Sequence, residues 1–402
     1  MSCRFPQHPD RGVIHDEAHA RPPLAIPDEI GEVWHWALVT DTQCSKWPDE
    51  IQPDQRHQLI TFDHGVLRYE RHAEFFALTW AGKNAPDAKV NKLIGACPGQ
   101  QLAGVRILFK APDSDLSSDF GEARIFGGAA MFDGVSVATD FQLTHTGLVT
   151  YVVAGVFEDG FARGRLAKRL LDIENYRMAA LMALPLVQQR MGLLHALEER
   201  ATGATRELPA HDDPNLKTLV DELSRVLAEL GELKESVRFR LAASKAYYDL
   251  VTDRLSSLDE KPLGHRQTLK GFIDHRLSPA LKTAEAFDRR LTDLSHRVTS
   301  ALALARTRLD VMIEMQNQSL LKKMEERARQ QVRLSEAVEG LSTAAITYYA
   351  IGLLIYLLKG LPDLPISDEH IVAAAIPFAA LVVWQGTSRA RKRIMNEDNI
   401  NV

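Results

Sequence analysis

The stretch EVWHWALVT at residues 32–40 decides the fold class, because its β-branched and aromatic residues are typical of a β-strand. Five further runs of this kind follow before residue 160, and Gly, Asp and Pro separate them. Since no long helical pattern alternates with each run, the sequence predicts an α+β domain with a mixed sheet over residues 1–160. The five runs are GVLRYERH, EFFALTW, LAGVRILFK, ARIFGGAAMFDGVSVATDF and GLVTYVVAG.

A helical periodicity extends over residues 161–339. Apolar residues recur near every 3.6 positions, beginning with Leu166, Leu170 and Ile173. Further on, apolar residues alternate steps of three and four, as in the seam of a coiled coil, at Leu291, Leu294, Val298, Ala301 and Ala305. The sequence therefore predicts a helical stalk or coiled-coil region that associates with further copies of the chain.

Two uncharged segments lie near the end of the chain. Residues 340–358 read GLSTAAITYYAIGLLIYLL, and residues 371–388 read IVAAAIPFAALVVWQGTS. Each is close to the roughly 20 residues that a helix needs to cross a bilayer. They predict a two-helix transmembrane hairpin over residues 340–393, followed by a basic tail to residue 402. The alternative is a helical hairpin buried in a soluble core.

The charges around these segments predict an orientation. The connecting loop KGLPDLPISDEH (359–370) is net acidic, whereas the flanking regions are basic. Cytoplasmic flanks of membrane helices carry an excess of Lys and Arg, so both termini are expected in the cytoplasm. The basic flanking residues are Lys322, Lys323, Arg327, Arg329 and Arg333 before the first segment, and Arg389, Arg391, Lys392 and Arg393 after the second.

The composition excludes several classes of protein. With 48 basic and 53 acidic residues, the net charge of −5 does not favour nucleic-acid binding. Three cysteines do not form a disulfide framework, and the start of the chain has no apolar core of a secretory signal. No glycine-rich phosphate-binding motif occurs, so we expect no nucleotide and no other cofactor.

Two polar clusters are candidate site residues in the N-terminal domain. The first lies in HPDRGVIHDEAHARPP (8–23), and on a helix His15 and His19 would share one face, as two metal-binding imidazoles can. HDEAH is not the HExxH pattern of zinc proteases, because the glutamate does not directly follow the first histidine. The residues of this cluster are His15, Glu17, His19 and Arg21.

The second cluster lies in RYERHAEFF (68–76), and on a strand alternate residues of this segment would line one face. Its residues are Arg68, Glu70, Arg71, His72 and Glu74. For both clusters, an ion-pair network that fixes the N-terminal arm to the sheet is one interpretation, and a metal or anion site is another. Catalysis is the least favoured, because Ser136 and Cys97 have no base partner that the sequence identifies.

These motifs resemble a known family. HPDRGVIHDEAHARPP resembles the HPxR and E-x-HARP opening of a bacterial family of uncharacterised membrane-anchored proteins, and RYERHAEFF resembles its ERHxEF segment. EGLSTAAITYYAIGLLIYLLKG resembles the first membrane span of that family, so the resemblance extends from about residue 8 to 393. Ala18 departs from the pattern, which favours a larger apolar residue there. The resemblance implies an inner-membrane protein and no known reaction.

The predicted layout is also similar to that of CorA-type divalent-cation transporters. Their Gly-Met-Asn signature is missing, and Lys359-Gly360-Leu361-Pro362 takes its place. If the chain formed a pore, the residues lining it would be Thr343, Thr347 and Gly352. The alternative for the threonines is a hydrogen bond to a carbonyl of their own helix.

Three functions remain open on this basis. The favoured hypothesis is a cytoplasm-facing scaffold or sensory module anchored in the lipid bilayer, which self-associates and binds an unknown cytoplasmic partner. The alternative is an oligomeric divalent-cation channel or transporter. An enzyme that uses the two polar clusters is the least favoured.

Overall fold

The computed structural model describes residues 7–18, 22–40, 46–130, 134–207, 215–358, 373, 375–386 and 389. The chain divides into two compact units, Met1–Ala303 and Leu304–Val402. The helices are α1 (Arg11–Ala18), α2 (Ala88–Ala96), α3 (Gly160–Leu181), α4 (Ala183–Glu207), α5 (Leu216–Ser257) and α6 (Leu269–Leu358). The strands are β1 (Glu32–Val39), β2 (His57–Phe62), β3 (Gly65–Arg71), β4 (Phe76–Gly82), β5 (Gln100–Lys110), β6 (Gly128–Ala129), β7 (Ser136–Leu143), β8 (Val149–Ala154) and β9 (Lys261–Pro262).

The strands of the first unit form one mixed sheet, in the order β2-β3-β4-β1-β5-β8-β7-β6-β9 among the described residues. β5 and β8 pair in parallel, whereas the pairs on either side of them, β1 with β5 and β7 with β8, are antiparallel. The predicted mixed sheet and the predicted long helices are therefore confirmed. β1, from the stretch EVWHWALVT, lies between β4 and β5.

β1 shows how the sequence builds two cores. Val33 and Ala37 alternate with Trp34 and Trp36, so the two pairs lie on opposite faces of the sheet. The tryptophans pack in a cluster with Trp80 and with apolar residues of α2. Val33 belongs to a second cluster, to which α3 contributes Leu166, Leu170 and Ile173. The sheet is consequently covered by α2 on one face and by α3 on the other.

An N-terminal arm, residues 22–31, runs across α3. It approaches so closely that a Cβ on Gly164 would lie 1.7 Å from the carbonyl oxygen of Leu24, and only glycine fits there. The guanidinium of Arg163 donates to the carbonyl of Ile30 at 2.9 Å. Residues 161–181, which the periodicity alone assigns to the stalk, therefore pack against both the sheet and the arm.

Helix α6 confirms the long helix that the periodicity predicts. Pro279 lies inside it. Its coiled-coil seam is buried at Leu291, Leu294, Val298, Ala301 and Ala305. After residue 305 the large apolar side chains become exposed, and examples are Leu320, Met324, Leu334, Val338 and Leu341.

Among the residues that the structure describes, no helix combines the length and the apolar character needed to cross a membrane. The predicted transmembrane hairpin is accordingly not supported by these residues. Its loop (359–370) lies outside the described residues, as do positions 371–372, 374 and 387–388 of its second segment and the tail from residue 390.

Candidate functional site

A buried polar cluster lies between the sheet and α3. The strand register places three polar residues in one row, since Arg68 of β3 is opposite Thr79 of β4, and Thr79 is opposite His35 of β1. Three polar side chains spaced four and three residues apart on α3 share the helix face over this row. They are Lys168, Asp172 and Asn175, and all three line one small cavity together with the strand residues.

His35 is the centre of this polar cluster. Its Nδ1 lies 2.8 Å from Thr79 Oγ1, and its Nε2 lies 3.0 Å from Asn175 Oδ1. Burial lowers the pKa of His35 to about 4, so the ring is neutral at physiological pH. A neutral imidazole has one donor and one acceptor nitrogen, which the hydroxyl and the amide satisfy. The three side chains thus join the sheet to α3.

Charged side chains of alternating sign form a series of ion pairs beside the cluster around His35. Arg68 Nη2 donates to Glu70 Oε1 at 2.8 Å, and Lys168 Nζ lies 3.5 Å from the same carboxylate oxygen. Lys168 also lies 3.4 Å from Asp172, whose other oxygen is 3.3 Å from Arg254 Nε. Glu70 is only 5% exposed, so its charge requires these partners.

The cavity beside these charges has a volume of about 30 Å³. That volume accommodates one or two water molecules and no larger substrate. Arg68 Nη1 also donates to the carbonyl of Pro22 at 2.6 Å, which ties the N-terminal arm to β3. A hydrogen bond therefore holds the arm to β3, beside the ion pairs that join β3, α3 and α5.

The second half of the RYERHAEFF segment departs from the predicted row. Arg68 and Glu70 share one face as expected, but β3 ends at Arg71. The chain turns there, because the backbone N–H of His72 donates to the carbonyl of Phe75 at 2.9 Å. The expectation that His72 and Glu74 extend the row on a strand is therefore wrong.

Glu74 instead pairs with Arg240 of α5, which donates to its carboxylate through both terminal nitrogens. His72 stacks on Phe75 with ring centroids 4.3 Å apart. Arg71 projects its guanidinium from the end of β3, where Nη1 lies 3.4 Å from the carbonyl of Pro53.

These residues border a second, larger space, which we call the rim cleft. Its volume is about 400 Å³. Aromatic rings form much of its wall, and two arginines and one glutamate supply its charges. Its lining includes Trp47, Tyr69, Arg71, Glu74, Phe239 and Arg240.

The first polar cluster is only partly described. His15 lies in α1 and is exposed, and the side chain of Glu17 in the same helix is outside the described residues. His19 and Arg21 are also outside them. Within the described part of the chain, no group of three His, Cys, Asp or Glu is arranged to hold a metal ion.

Two residues considered for catalysis or for a pore, Cys97 and Thr347, have side chains that are engaged within the fold. Burial raises the pKa of the Cys97 thiol to about 12, so it remains protonated and is not a nucleophile at neutral pH. Thr343, Thr347 and Gly352 lie on α6, and Thr347 Oγ1 donates to the carbonyl of Thr343 at 2.8 Å. The hydroxyl of Thr347 is thus used within its own helix.

Sequence reasoning did not identify the polar cluster around His35. Two signals were available: a single polar residue inside an otherwise apolar strand, and polar residues at i, i+4 and i+7 on one helix. The residues missed are His35, Thr79, Lys168, Asp172, Asn175 and, in the rim cleft, Trp47, Phe239 and Arg240.

The protein is thus an α+β protein with one mixed sheet, long helices and an N-terminal arm that is held by hydrogen bonds. The sequence matches the family of proteins of unknown function DUF3422 over residues 6–394, and the chain belongs to that family. The predicted membership of an uncharacterised family is confirmed by this match. No curated protein matches the sequence significantly.

Two solved structures align with the chain at low similarity. The full-length CmaX protein is 15% identical, the alignment covers 84% of this chain and 99% of CmaX, and the TM-score is 0.15. A tryptophan 6-halogenase (SttH) from Streptomyces toxytricini is 13% identical, with 72% of this chain and 55% of the halogenase covered and a TM-score of 0.18. At these TM-scores, neither alignment supports an argument about fold or function.

Proposed function

We propose that this protein is a binding module anchored in the bacterial inner membrane, and that its copies self-associate through α6. In this proposal the C-terminal segments 340–358 and 371–388 form a hairpin in the bilayer, with both termini in the cytoplasm. The N-terminal unit then faces the cytoplasm and binds a partner there. The family to which the chain belongs is of unknown function, so it neither supports nor opposes this proposal.

The observation that carries the proposal is the exposed apolar surface of α6 beyond residue 304. Leu341, Leu353 and Tyr356 are 75%, 68% and 80% exposed. Residues 340–358 carry no charge, and soluble monomers rarely expose an uncharged apolar run of this length, which is typical of a membrane or protein interface. A bilayer would cover the uncharged residues 340–358, and basic residues such as Arg329 and Arg333 just before them favour a cytoplasmic flank.

Self-association is supported by the spacing of the exposed residues before the first segment. Leu334 and Val338 before the segment, and Leu341 at its start, are spaced by four and three residues. The same alternation is buried earlier in α6, at Leu291, Leu294 and Val298, where apolar neighbours cover it. A coiled coil with a second copy would cover Leu334 and Val338 in the same way.

Membrane anchoring is tested by placing a charge within the first segment. The substitution Leu353→Arg should move the full chain from a carbonate-washed membrane fraction towards the soluble or aggregated fraction, since an arginine near the centre of a span costs about 3 kcal/mol. Leu320→Arg is the matched control, because Leu320 is a similarly exposed leucine (58%) of the same helix outside the segment. A wild-type chain that washes off membranes would disprove the anchor.

Self-association is tested by sedimentation of the full chain in a non-ionic detergent. Leu334→Glu should reduce the oligomer mass, because it places a carboxylate in the proposed seam. Val332→Glu is the matched control, since Val332 is exposed on the same helix but about 200° around its axis from Leu334. A monomeric wild-type chain would disprove self-association.

The alternative function is an oligomeric divalent-cation channel that uses the same segments. The hydrogen bond from Thr347 to the carbonyl of Thr343 favours the anchor, because the hydroxyl is used within the helix. Magnesium flux into proteoliposomes, measured with the wild type and with Thr347→Leu, separates the two. Saturable flux that the variant abolishes would replace the anchor by a channel, and absence of flux from inserted protein agrees with the anchor.

A further inference from the structure

We propose that the rim cleft binds a small organic acid with a flat apolar body, and that Arg71 pairs with its acidic group. The inference rests on the proposed function only in taking the N-terminal unit as the part that binds a ligand. It holds whether or not the chain self-associates or enters a membrane.

The walls of the rim cleft suit a flat apolar molecule. Trp47 makes edge contacts with Tyr69 and Phe76, with ring centroids 5.8 and 4.7 Å apart, so this wall is already assembled. Tyr69 and Phe76 are buried, whereas Phe239 on the opposite side is 67% exposed. Arg238 and Arg240 flank Phe239 on α5, the Arg240 guanidinium lies 5.6 Å from its ring centroid, and the rest of this large ring is exposed towards a ligand.

The charges of the rim cleft favour an anion. Glu74 and Arg240 neutralise each other. Arg71 has no carboxylate within salt-bridge distance among the described residues, and its hydrogen bond to Pro53 is long at 3.4 Å. Among the described lining residues, two guanidiniums and one carboxylate thus give the cleft a net positive charge. A guanidinium offers paired N–H donors that match a carboxylate, sulfonate or phosphate group.

The size of the rim cleft fits a single small molecule. Its volume of about 400 Å³ falls within the range of about 300–1,000 Å³ that is usual for ligand pockets. The cavity beside His35, at about 30 Å³, is too small for such a molecule. The acid therefore has room in the rim cleft and not in the buried cluster.

The test uses naphthalene-2-sulfonate as the anionic probe and isothermal titration calorimetry on the full chain in a non-ionic detergent. Two probes of the same shape, 2-naphthylmethanol and 2-naphthylmethylammonium, provide the neutral and cationic comparisons. We expect saturable binding of the sulfonate, and at least about tenfold weaker binding of the other two, because each lacks the charge-assisted hydrogen bonds to Arg71.

Variants locate the binding in the rim cleft. Arg71→Gln should weaken sulfonate binding about tenfold, whereas Arg225→Gln, which removes the same charge from an exposed position on α5, should leave it unchanged. Phe239→Ala should weaken all three probes, and Leu250→Ala is its control as an exposed apolar residue of the same helix. Thermal unfolding of each variant verifies that it is folded.

Three results would overturn the inference: no saturable sulfonate binding, equal binding of the neutral probe, or equal effects of Arg71→Gln and Arg225→Gln. None of these measurements depends on membrane insertion or oligomer mass. A monomeric chain that still binds the sulfonate would reject self-association and retain the rim cleft as a ligand site.

Discussion

The two halves of the RYERHAEFF segment differ in what surrounds them. Arg68 and Glu70 are covered by α3, and they border a cavity of about 30 Å³. Arg71 and Glu74 border the rim cleft of about 400 Å³. The residue types are the same in both halves, but the first pair is buried under α3, whereas Glu74 pairs with Arg240 of α5 and Arg71 is exposed. The following predictions test this difference.

The largest expected effect is that of Glu70→Ala. The substitution removes the carboxylate to which the buried Arg68 Nη2 donates, and it should lower the free energy of unfolding by about 3–5 kcal/mol. Urea denaturation followed by tryptophan fluorescence measures this change. Glu235→Ala, which breaks an exposed pair with Arg238, should cost less than about 1 kcal/mol. Similar losses in both variants would show that the buried pair Arg68–Glu70 contributes no more to stability than an exposed pair does.

The second-largest expected effect is a dependence of the free energy of unfolding on pH, which is caused by His35. Its pKa is about 4 in the folded protein and 6.5 in the unfolded chain, so the unfolded chain binds more protons between these values. The contribution of His35 to stability is therefore present above pH 6.5 and is lost progressively as the pH falls towards 4, by a few kcal/mol.

This pH dependence is measured as the difference between the wild type and His35→Gln. We expect the variant to lose less stability than the wild type between pH 6.5 and 4, and we expect His195→Gln, at an exposed histidine on α4, to follow the wild type. Parallel curves for the wild type and His35→Gln would contradict the assignment of the neutral ring to the polar cluster.

A smaller loss is expected from Gly164→Ala. The added Cβ would meet the carbonyl of Leu24, so the N-terminal arm must move, at a cost of about 1–3 kcal/mol. Hydrogen exchange of residues 22–31 should increase. Gly192→Ala on α4 has no atom within 4 Å of the new Cβ, and it should stabilise the helix by up to about 1 kcal/mol. Unchanged exchange of the arm in Gly164→Ala would disprove its close packing on α3.

The smallest expected effect on stability is that of Arg71→Gln. The side chain is exposed and, within the described parts of the chain, makes one long hydrogen bond, so the free energy of unfolding should change by less than about 0.5 kcal/mol. Chemical denaturation of this variant beside Glu70→Ala compares the two halves of the segment directly. A large loss in Arg71→Gln would place it in the structural network and not in a binding site.

The sequence alone identified the elements better than their partners. The β-branched and aromatic residues of EVWHWALVT and the regular apolar spacing of α6 are local signals, and both elements form as predicted. The end of β3 at Arg71 depends on a turn from His72 to Phe75. That turn contains no glycine or proline by which the sequence could indicate it.

The polar cluster was harder to predict because its members are distant in the chain. His35 and Asn175 are 140 positions apart, and nothing near either residue indicates the other. The alternating charges of RYERHAEFF were visible, yet their partners Lys168 and Arg240 come from helices whose placement on the sheet is a tertiary feature. Candidate residues were therefore identified by type, and their roles depended on the packing.

The contacts of Arg163 with the N-terminal arm have a consequence during protein synthesis. This arginine donates to the carbonyls of Pro27 and Ile30, which precede it by 136 and 133 positions. Since a ribosome adds about 5–20 residues per second, an interval on the order of ten seconds separates the synthesis of the arm from that of Arg163. Until α3 has been made, the face of β1 that bears Val33 and Ala37 lacks the helix that covers it, and it remains an apolar surface of the nascent chain.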